Sequence, residues 1–375
     1  MPGLVGAALV LGMLSGPAAQ AAPPGTVVAW GDNADGQLGN GTFTAHATAQ
    51  AVHNLTNVKQ LRGGREHVIA LRASGTVWAW GHNNYGQVGD GTTTNRNVPV
   101  RVSGLTDVRQ ISTGHYHSMA LKTNGTVWAW GWNHFGQLGD GTTTSRHVPV
   151  RVKSLTNVIQ IGGARDHALA LRSDGTVWAW GDNQFGNLGN GSHAQSNVPV
   201  RVSGLKNIVA IAGGRDHSLA VKRNGSVWAW GWNHYGQLGD GTTTDRSTPV
   251  RVALPTTLRI TKVSAGADHS VALSAAGHVW AWGQNSSGQV GDGSGVERRR
   301  PVRLGSIANI VQIGTGRLHT LAVAASGRVW AWGLNDFGQL GDGSHTNRHA
   351  PVRVANITTG EQVAGGRDYS VALVG

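Results

Sequence analysis

Six histidines recur one repeat apart, at His67, His117, His167, His217, His269 and His319, and Tyr369 takes the seventh place. Imidazole is the commonest metal ligand and the usual acid-base group near neutral pH. Chelation needs ligands that meet, however, and side chains separated by a whole repeat stand far apart on a ring. The column therefore reads as one hydrogen bond from each imidazole to neighbouring backbone, repeated to lock each blade. A second series, Asp90, Asp140, Asp240, Asp292 and Asp342, opens Asp-Gly-Thr or Asp-Gly-Ser strings. None of these sites has the alternating acids of a calcium loop, so turn and capping hydrogen bonds are expected there. The string GQLGDG suggests a phosphate-cradling loop, but no helix follows it and close copies occur seven times, which marks a structural turn. There is no Cys and no nucleophile elbow, and the acids recur in register instead of forming one odd pair. The expectation is a non-enzyme with no catalytic residues, no cofactor and no metal.

The elements that carry these residues follow from the period. Trp-Gly pairs place their Gly at Gly31, Gly81, Gly131, Gly181, Gly231, Gly283 and Gly333, about fifty residues apart, the signature of a β-propeller whose blades are the repeats. Within Leu155–Val202, the run Ala168–Leu171, the turn Ser173-Asp174-Gly175 and the run Thr176–Trp180 make a hairpin. Trp178 and Trp180 share one face of its second strand, and Val177 and Ala179 share the other, so the large face of one sheet can rest on the small face of the next. Pro99, Pro149, Pro199, Pro249, Pro301 and Pro351 suit an edge strand. The chain enters its first repeat at the Trp-Gly half, and Tyr369–Leu373 supplies the missing strand at the far end. The predicted fold is all-β: a seven-bladed β-propeller of four-stranded blades, closed by pairing of the N- and C-terminal strands.

Composition agrees once it is read through the repeat. With 57 Gly and only 13% charged residues an aperiodic chain would be disordered, but 15 Trp in register reverse that reading. Residues 1–22 stand outside the pattern. The run Leu4–Leu14 is too short to span a bilayer, and Ala19-Gln20-Ala21 is a small-x-small cleavage site, so a signal peptide is expected, with a single propeller over 23–375. Export to the extracellular space or cell surface follows from it.

Contact residues should vary where structural residues repeat. One variable loop reads Arg65-Glu66, His115-Tyr116, Arg165-Asp166, Arg215-Asp216, Ala267-Asp268, Arg317-Leu318 and Arg367-Asp368. Another, after Trp-Gly, offers Trp132 and Trp232 among less bulky residues, with Tyr85, Phe135, Phe185, Tyr235 and Phe337 close behind. His115, Tyr116, Trp132, Arg165, Arg215, Trp232, Arg317 and Arg367 are the candidate partner-binding residues, since exposed Trp, Tyr and Arg are strong interface anchors. The net charge of +12 arises partly from two Arg columns, Arg101 to Arg353 after Pro-Val and Arg96 to Arg348 before it. Such a belt suits weak contact with an anionic polymer, and it equally suits solubility.

The segment GGRDHSLAVKRNGSVWAWGWNHYGQLGDG, from Gly213 to Gly241, resembles the repeat of the regulator of chromosome condensation family, and six further copies cover essentially all of 25–375. The resemblance implies a seven-bladed propeller acting as a binding platform. In that family one member is a nucleotide exchange factor for a small GTPase, and another is a secreted bacterial inhibitor of β-lactamases that binds through one rim. Exchange is associated with a projecting insertion in one blade. Here the Trp-Gly pairs are spaced 50, 50, 50, 50, 52 and 50 residues apart, leaving no room for one. The expected function is a monomeric, exported binding scaffold that presents rim loops to a protein partner, such as a secreted enzyme it inhibits. The alternatives are a surface or anionic-polymer module and, behind them, an exchange factor or a propeller lyase.

Overall fold

A computed structural model describes residues 25–375, which hold 28 strands, β1 to β28 in chain order, and no helix. The expected signal peptide lies outside the described residues. The strands form seven four-stranded antiparallel sheets. In one blade the order from the centre outward is β3 (Val58–Gly63), β4 (His67–Arg72), β5 (Val77–Gly81) and β6 (Arg96–Arg101). The turn between β4 and β5 has Gly75 at φ 78°, a left-handed conformation that a Cβ would penalise. Pro99 sits on the outermost strand, where the ladder with β5 is interrupted, so no pairing is lost to its missing N–H.

One blade is built from both ends of the described chain. Its order is β27 (Gly360–Gly365), β28 (Tyr369–Val374), β1 (Thr26–Gly31) and β2 (His46–Ala51), and β28 pairs with β1 continuously from Thr26 opposite Val374 to Gly31 opposite Tyr369. The innermost strands of successive blades touch in a closed cycle around a central channel.

The core is divided among the blade interfaces, as expected from the alternation of Trp with Val and Ala. Trp180 packs into Met119, Leu121, Val127 and Leu138 of the preceding blade, whereas Val177 and Ala179 receive Trp230 from the next. Trp30 does the same against Leu321, Val323 and Leu340, which closes the ring. Each fully buried indole contributes on the order of 2–3 kcal/mol. Each also donates its N–H to a loop carbonyl of the preceding blade, as Trp180 does to Gln137 at 2.9 Å. That loop must come very close: Gly139, at φ 65°, would place a Cβ 2.8 Å from the Trp180 nitrogen. The repeated Gly of GQLG is therefore a packing residue, not a phosphate cradle.

The histidine column is buried and bridges blades, but its partner is a hydroxyl and not backbone. His67 Nε2 lies 2.9 Å from Ser118 Oγ of the next blade, and Ser118 donates to the Gln87 carbonyl, so the imidazole Nε2–H is the donor to Ser118. His167, His217, His269 and His319 repeat the contact with Ser218, Ser270, Thr320 and Ser370. Two exceptions explain each other's logic. For His117 the residue at the matching position of the next blade is Ala168, and neither ring nitrogen has a hydrogen-bond partner. Tyr369 packs with Val68 and reaches past it, its hydroxyl donating to the His67 carbonyl at 2.5 Å and the Gly64 carbonyl at 3.2 Å. Replacing Ala168→Ser supplies the missing partner and is expected to raise unfolding free energy by about 1 kcal/mol, measured by urea titration. An unchanged or lower midpoint would contradict the bridging role.

Candidate functional site

Two sets of loops share one face of the propeller, because both follow strands running in the same direction. The first joins the innermost strand to the second (64–66 in the blade of β3 to β6). The other joins the third strand to the outermost (82–95), and the His82 amide donates to the Glu66 carbonyl at 2.8 Å, tying them together.

The longer loop is organised by an asparagine that recurs in every repeat and that the sequence analysis did not single out. Asn83 is fully buried; its side-chain oxygen accepts the Val88 amide and its nitrogen donates to the Thr92 and Thr94 carbonyls. Asn33, Asn133, Asn183, Asn233, Asn285 and Asn335 do likewise in their blades. In the same loop Asp90 accepts from the Thr92 hydroxyl at 2.7 Å and pairs with Arg96 at 2.6 Å. Burial pushes the Asp90 carboxyl up, but the Thr92 and Arg96 bonds outweigh it and hold its pKa below the usual value. Arg146, Arg246, Arg298 and Arg348 pair with Asp140, Asp240, Asp292 and Asp342 in the same way. This column is consumed by structural ion pairs and does not belong to a basic belt. The Arg101 column differs: Arg101, Arg151, Arg201, Arg251, Arg303 and Arg353 are all exposed.

At the channel mouth the short loops converge on a cavity of about 150 Å³ lined by Arg65, His115, Arg165, Arg215, Ala267, Arg317 and Arg367. Its backbone is a ring of hydrogen bonds from blade to blade, including Arg65 N–H to the His115 carbonyl at 3.1 Å, His115 to Arg165 at 3.2 Å and, at the closure, Arg367 to Arg65 at 2.8 Å. The guanidinium groups are held by neighbouring carboxylates in two arcs. In one, Arg165 bridges Asp166 (2.6 Å) and Asp216 (3.4 Å), and Arg215 bridges Asp216 (3.1 Å) and Asp268 (3.2 Å). In the other, Arg317 meets Asp368 (3.2 Å), Arg367 bridges Asp368 and Glu66 (both 3.1 Å), and Arg65 meets Glu66 (2.9 Å). Burial raises the Asp166, Asp216 and Asp368 carboxyls against the pull of these arginines, and pushes Asp268, where Ala267 supplies no cation, up to about 6.

The arcs break at His115-Tyr116, where no carboxylate stands. The Arg65 guanidinium instead bonds the Tyr116 hydroxyl and lies over its ring, 5.0 Å from the centroid. Burial pushes the Tyr116 phenol up to about 12, with Glu66 adding to it, and burial together with Arg65, Arg165 and Arg367 holds His115 down at about 2. Both are neutral near pH 7. Around Tyr116 gather His82, Tyr85, His115 and Trp132, with ring centroids 4.8–6.1 Å apart, and Phe135 stands edge-on to Trp132 at 5.5 Å. Trp232 stands in a smaller group with Phe185 and Tyr235, and Arg215 lies over it at 4.7 Å.

The eight sequence-predicted residues thus share one face. Arg165, Arg215, Arg317 and Arg367 ring the mouth; His115, Tyr116 and Trp132 form one sector; Trp232 flanks Arg215. The sequence reading passed over the acidic partners, although an acid follows most of the variable-loop arginines directly, and over the way His82 and Tyr85 close on Tyr116. Among the described residues no three or more His, Asp or Glu side chains converge to hold a metal ion, and no helix is long and apolar enough to cross a membrane.

Comparison with known proteins agrees with this architecture. A family model for the RCC1-like domain matches residues 18–259, and one for the regulator of chromosome condensation (RCC1) repeat matches 276–323 and 326–373. Prp20p from Saccharomyces cerevisiae, whose structure was described with its binding properties to Gsp1p and histones, is 26% identical, with 93% of this chain and 91% of that one covered and a TM-score of 0.85. Yeast RCC1 (Prp20) bound to Kap60 is 25% identical over 93% of this chain and 88% of that one, also at 0.85. Human WBSCR16 shares the fold at 24% identity, with 94% and 99% covered and a TM-score of 0.83. No curated protein matches the sequence. With about two thirds of its length matched by one family model and most of the remainder by its repeats, the chain belongs to the regulator of chromosome condensation (RCC1) family as an RCC1-like repeat domain.

Proposed function

We propose that this chain is an exported, non-enzymatic scaffold that binds a protein partner through the aromatic sector of its loop face. One observation carries the reading. Six short loops follow a charged or aliphatic plan, and the seventh replaces it with His115-Tyr116 inside a cluster of five rings. Tyr85 is exposed and Trp132 half-buried, so the cluster offers large, rigid, amphipathic surface, and it sits on a hydrogen-bonded ring that costs little entropy to order. The partners of the yeast relatives, Gsp1p, histones and Kap60, support protein recognition as the use of this fold. A secreted enzyme held in an inhibited state is the partner class that goes with export. Nucleotide exchange has no projecting insertion to support it, since the two extra residues fall in the connection around Pro255 on the opposite face.

A second reading rests on the exposed Arg101 column: contact with an anionic polymer. Affinity capture from the producing cell's medium separates the two. The double change Trp132→Ala with Trp232→Ala is expected to weaken a protein partner by at least about 2 kcal/mol, roughly thirtyfold in Kd, with the melting temperature retained. Unchanged capture by that variant, together with loss of capture from the wild type at moderate salt, would overturn the protein reading in favour of the polymer.

A further inference from the structure

Two layers of side chains from the innermost strands line the channel. One is mostly glutamine: Gln60, Gln110 and Gln160 pass their side-chain oxygens to the Ile111, Ile161 and Ile211 amides of the next blade. The other is Arg62, Ser112, Gly162, Ala212, Ser264, Gly314 and Ala364, a single cation among six small residues. These residues surround a cavity of about 230 Å³ whose lining contains no carboxylate. Arg62 spends one donor on the Leu61 carbonyl at 2.8 Å and makes no ion pair among the described residues. This sets it apart from the mouth arginines, each of which meets a carboxylate.

An enclosed cation without a counter-charge is costly unless something compensates it. Burial alone lowers the Arg62 pKa, to about 10, so it keeps its charge at neutral pH. The remaining guanidinium donors form a planar fork that matches an oxyanion. Hydroxyl donors line the same space. Ser112 accepts the Gly163 amide at 2.8 Å, which leaves its own proton free, and the Ser264 and Thr315 hydroxyls, 2.8 Å apart, share one proton and keep another. We propose that the channel is a binding site for a small oxyanion, phosphate or a short carboxylate, held by Arg62 with hydroxyls of the channel wall. The site is separate from the aromatic sector and does not depend on it.

Inorganic phosphate is the probe, titrated at constant ionic strength and read by calorimetry and by phosphorus NMR. Saturable binding of one phosphate per chain is expected, weakened by about tenfold or more in Arg62→Met. Lys262→Met, which removes an exposed cation of the same strand layer outside the cavity lining, should bind as the wild type does. Should Arg62→Met fail to fold, Gly162→Val keeps Arg62 and adds bulk to the channel wall: the nearest atoms to an added Cβ lie 3.8 Å or more away, so it meets no backbone clash there, and it is expected to hinder the anion. Absence of saturable binding to the wild type, or equal binding by wild type and Gly162→Val, overturns the proposal.

Discussion

Acidification from pH 7 to pH 5 is expected to unfold this propeller or to bring it close to unfolding. Burial holds His67, His167, His217, His269 and His319 at a pKa of about 3 and His117 at about 4. In the unfolded chain each titrates near 6.5, so the unfolded state takes up protons first as pH falls. Stability contributed by the neutral imidazoles is complete above 6.5 and is lost progressively below it, until the folded pKa is reached. At pH 5 the loss is on the order of 2 kcal/mol per histidine and roughly 10 kcal/mol for the six, comparable to the whole stability of many domains, and His115, held down at about 2, adds to it in the same sense. Asp166, Asp216, Asp268 and Asp368 act in the opposite sense, since burial raises each above its unfolded value; for Asp268, at about 6, the fold gains about 1 kcal/mol on its protonation at pH 5. The five loop aspartates, with lowered pKa values, begin to cost stability only below about pH 4 and do not enter this window. Urea unfolding at stepped pH should give a slope of several protons, and His217→Gln, which keeps a donor for Ser270 without titrating, should reduce it by about one. A melting temperature independent of pH between 7 and 5 would show that these histidines are not buried as described.

The fold was legible because its determinants are local and repeated. Gly75 and its equivalents fix turns, Trp80 and Trp180 mark interfaces, and the two half-repeats at the ends allow only one closure. Bonds between blades were harder to see. Nothing in the spacing of His67 points to Ser118, and the backbone partner expected for it is found only for Tyr369, opposite Val68. A signal for the Asp90 and Arg96 pair did exist. Where the aspartate is replaced, at Asn40 and Asn190, the arginine is replaced too, by His46 and Ser196. Covariation among repeats of one chain thus separates a structural charge from a free one, and it removes five arginines from the apparent basic belt. The loop face was legible as a face, since loops at the same strand ends must share it. Its aromatic sector was not, because whether His82 and Tyr85 turn toward Tyr116 depends on side-chain packing across adjacent blades.

Closure makes the last strand decisive, out of proportion to its length. Ending the chain at Asp368 removes β28, which lies between β27 and β1 in its sheet, so the blade loses a central strand and not an edge. Val371 and Leu373 belong to the core cluster on one side of that blade, and Ala372 and Val374 to the cluster on the other. Exposing these side chains with Tyr369 costs on the order of 10 kcal/mol before any lost ladder hydrogen bond is counted. Two unpaired edges are left facing each other, a template for association with other chains. The truncated chain is therefore expected to lack a cooperative melting transition near that of the wild type and to aggregate on size-exclusion chromatography. Tyr369→Phe keeps the strand and its packing and removes only the hydroxyl bonds to Gly64 and His67, costing about 1–2 kcal/mol. A synthetic peptide spanning residues 369–375, added in trans, should restore folding by strand addition, since the missing ladder is mostly main chain. A soluble, monomeric truncated chain that melts with the wild type would show that the ring is held by its other five interfaces and that the pairing of β28 with β1 contributes little.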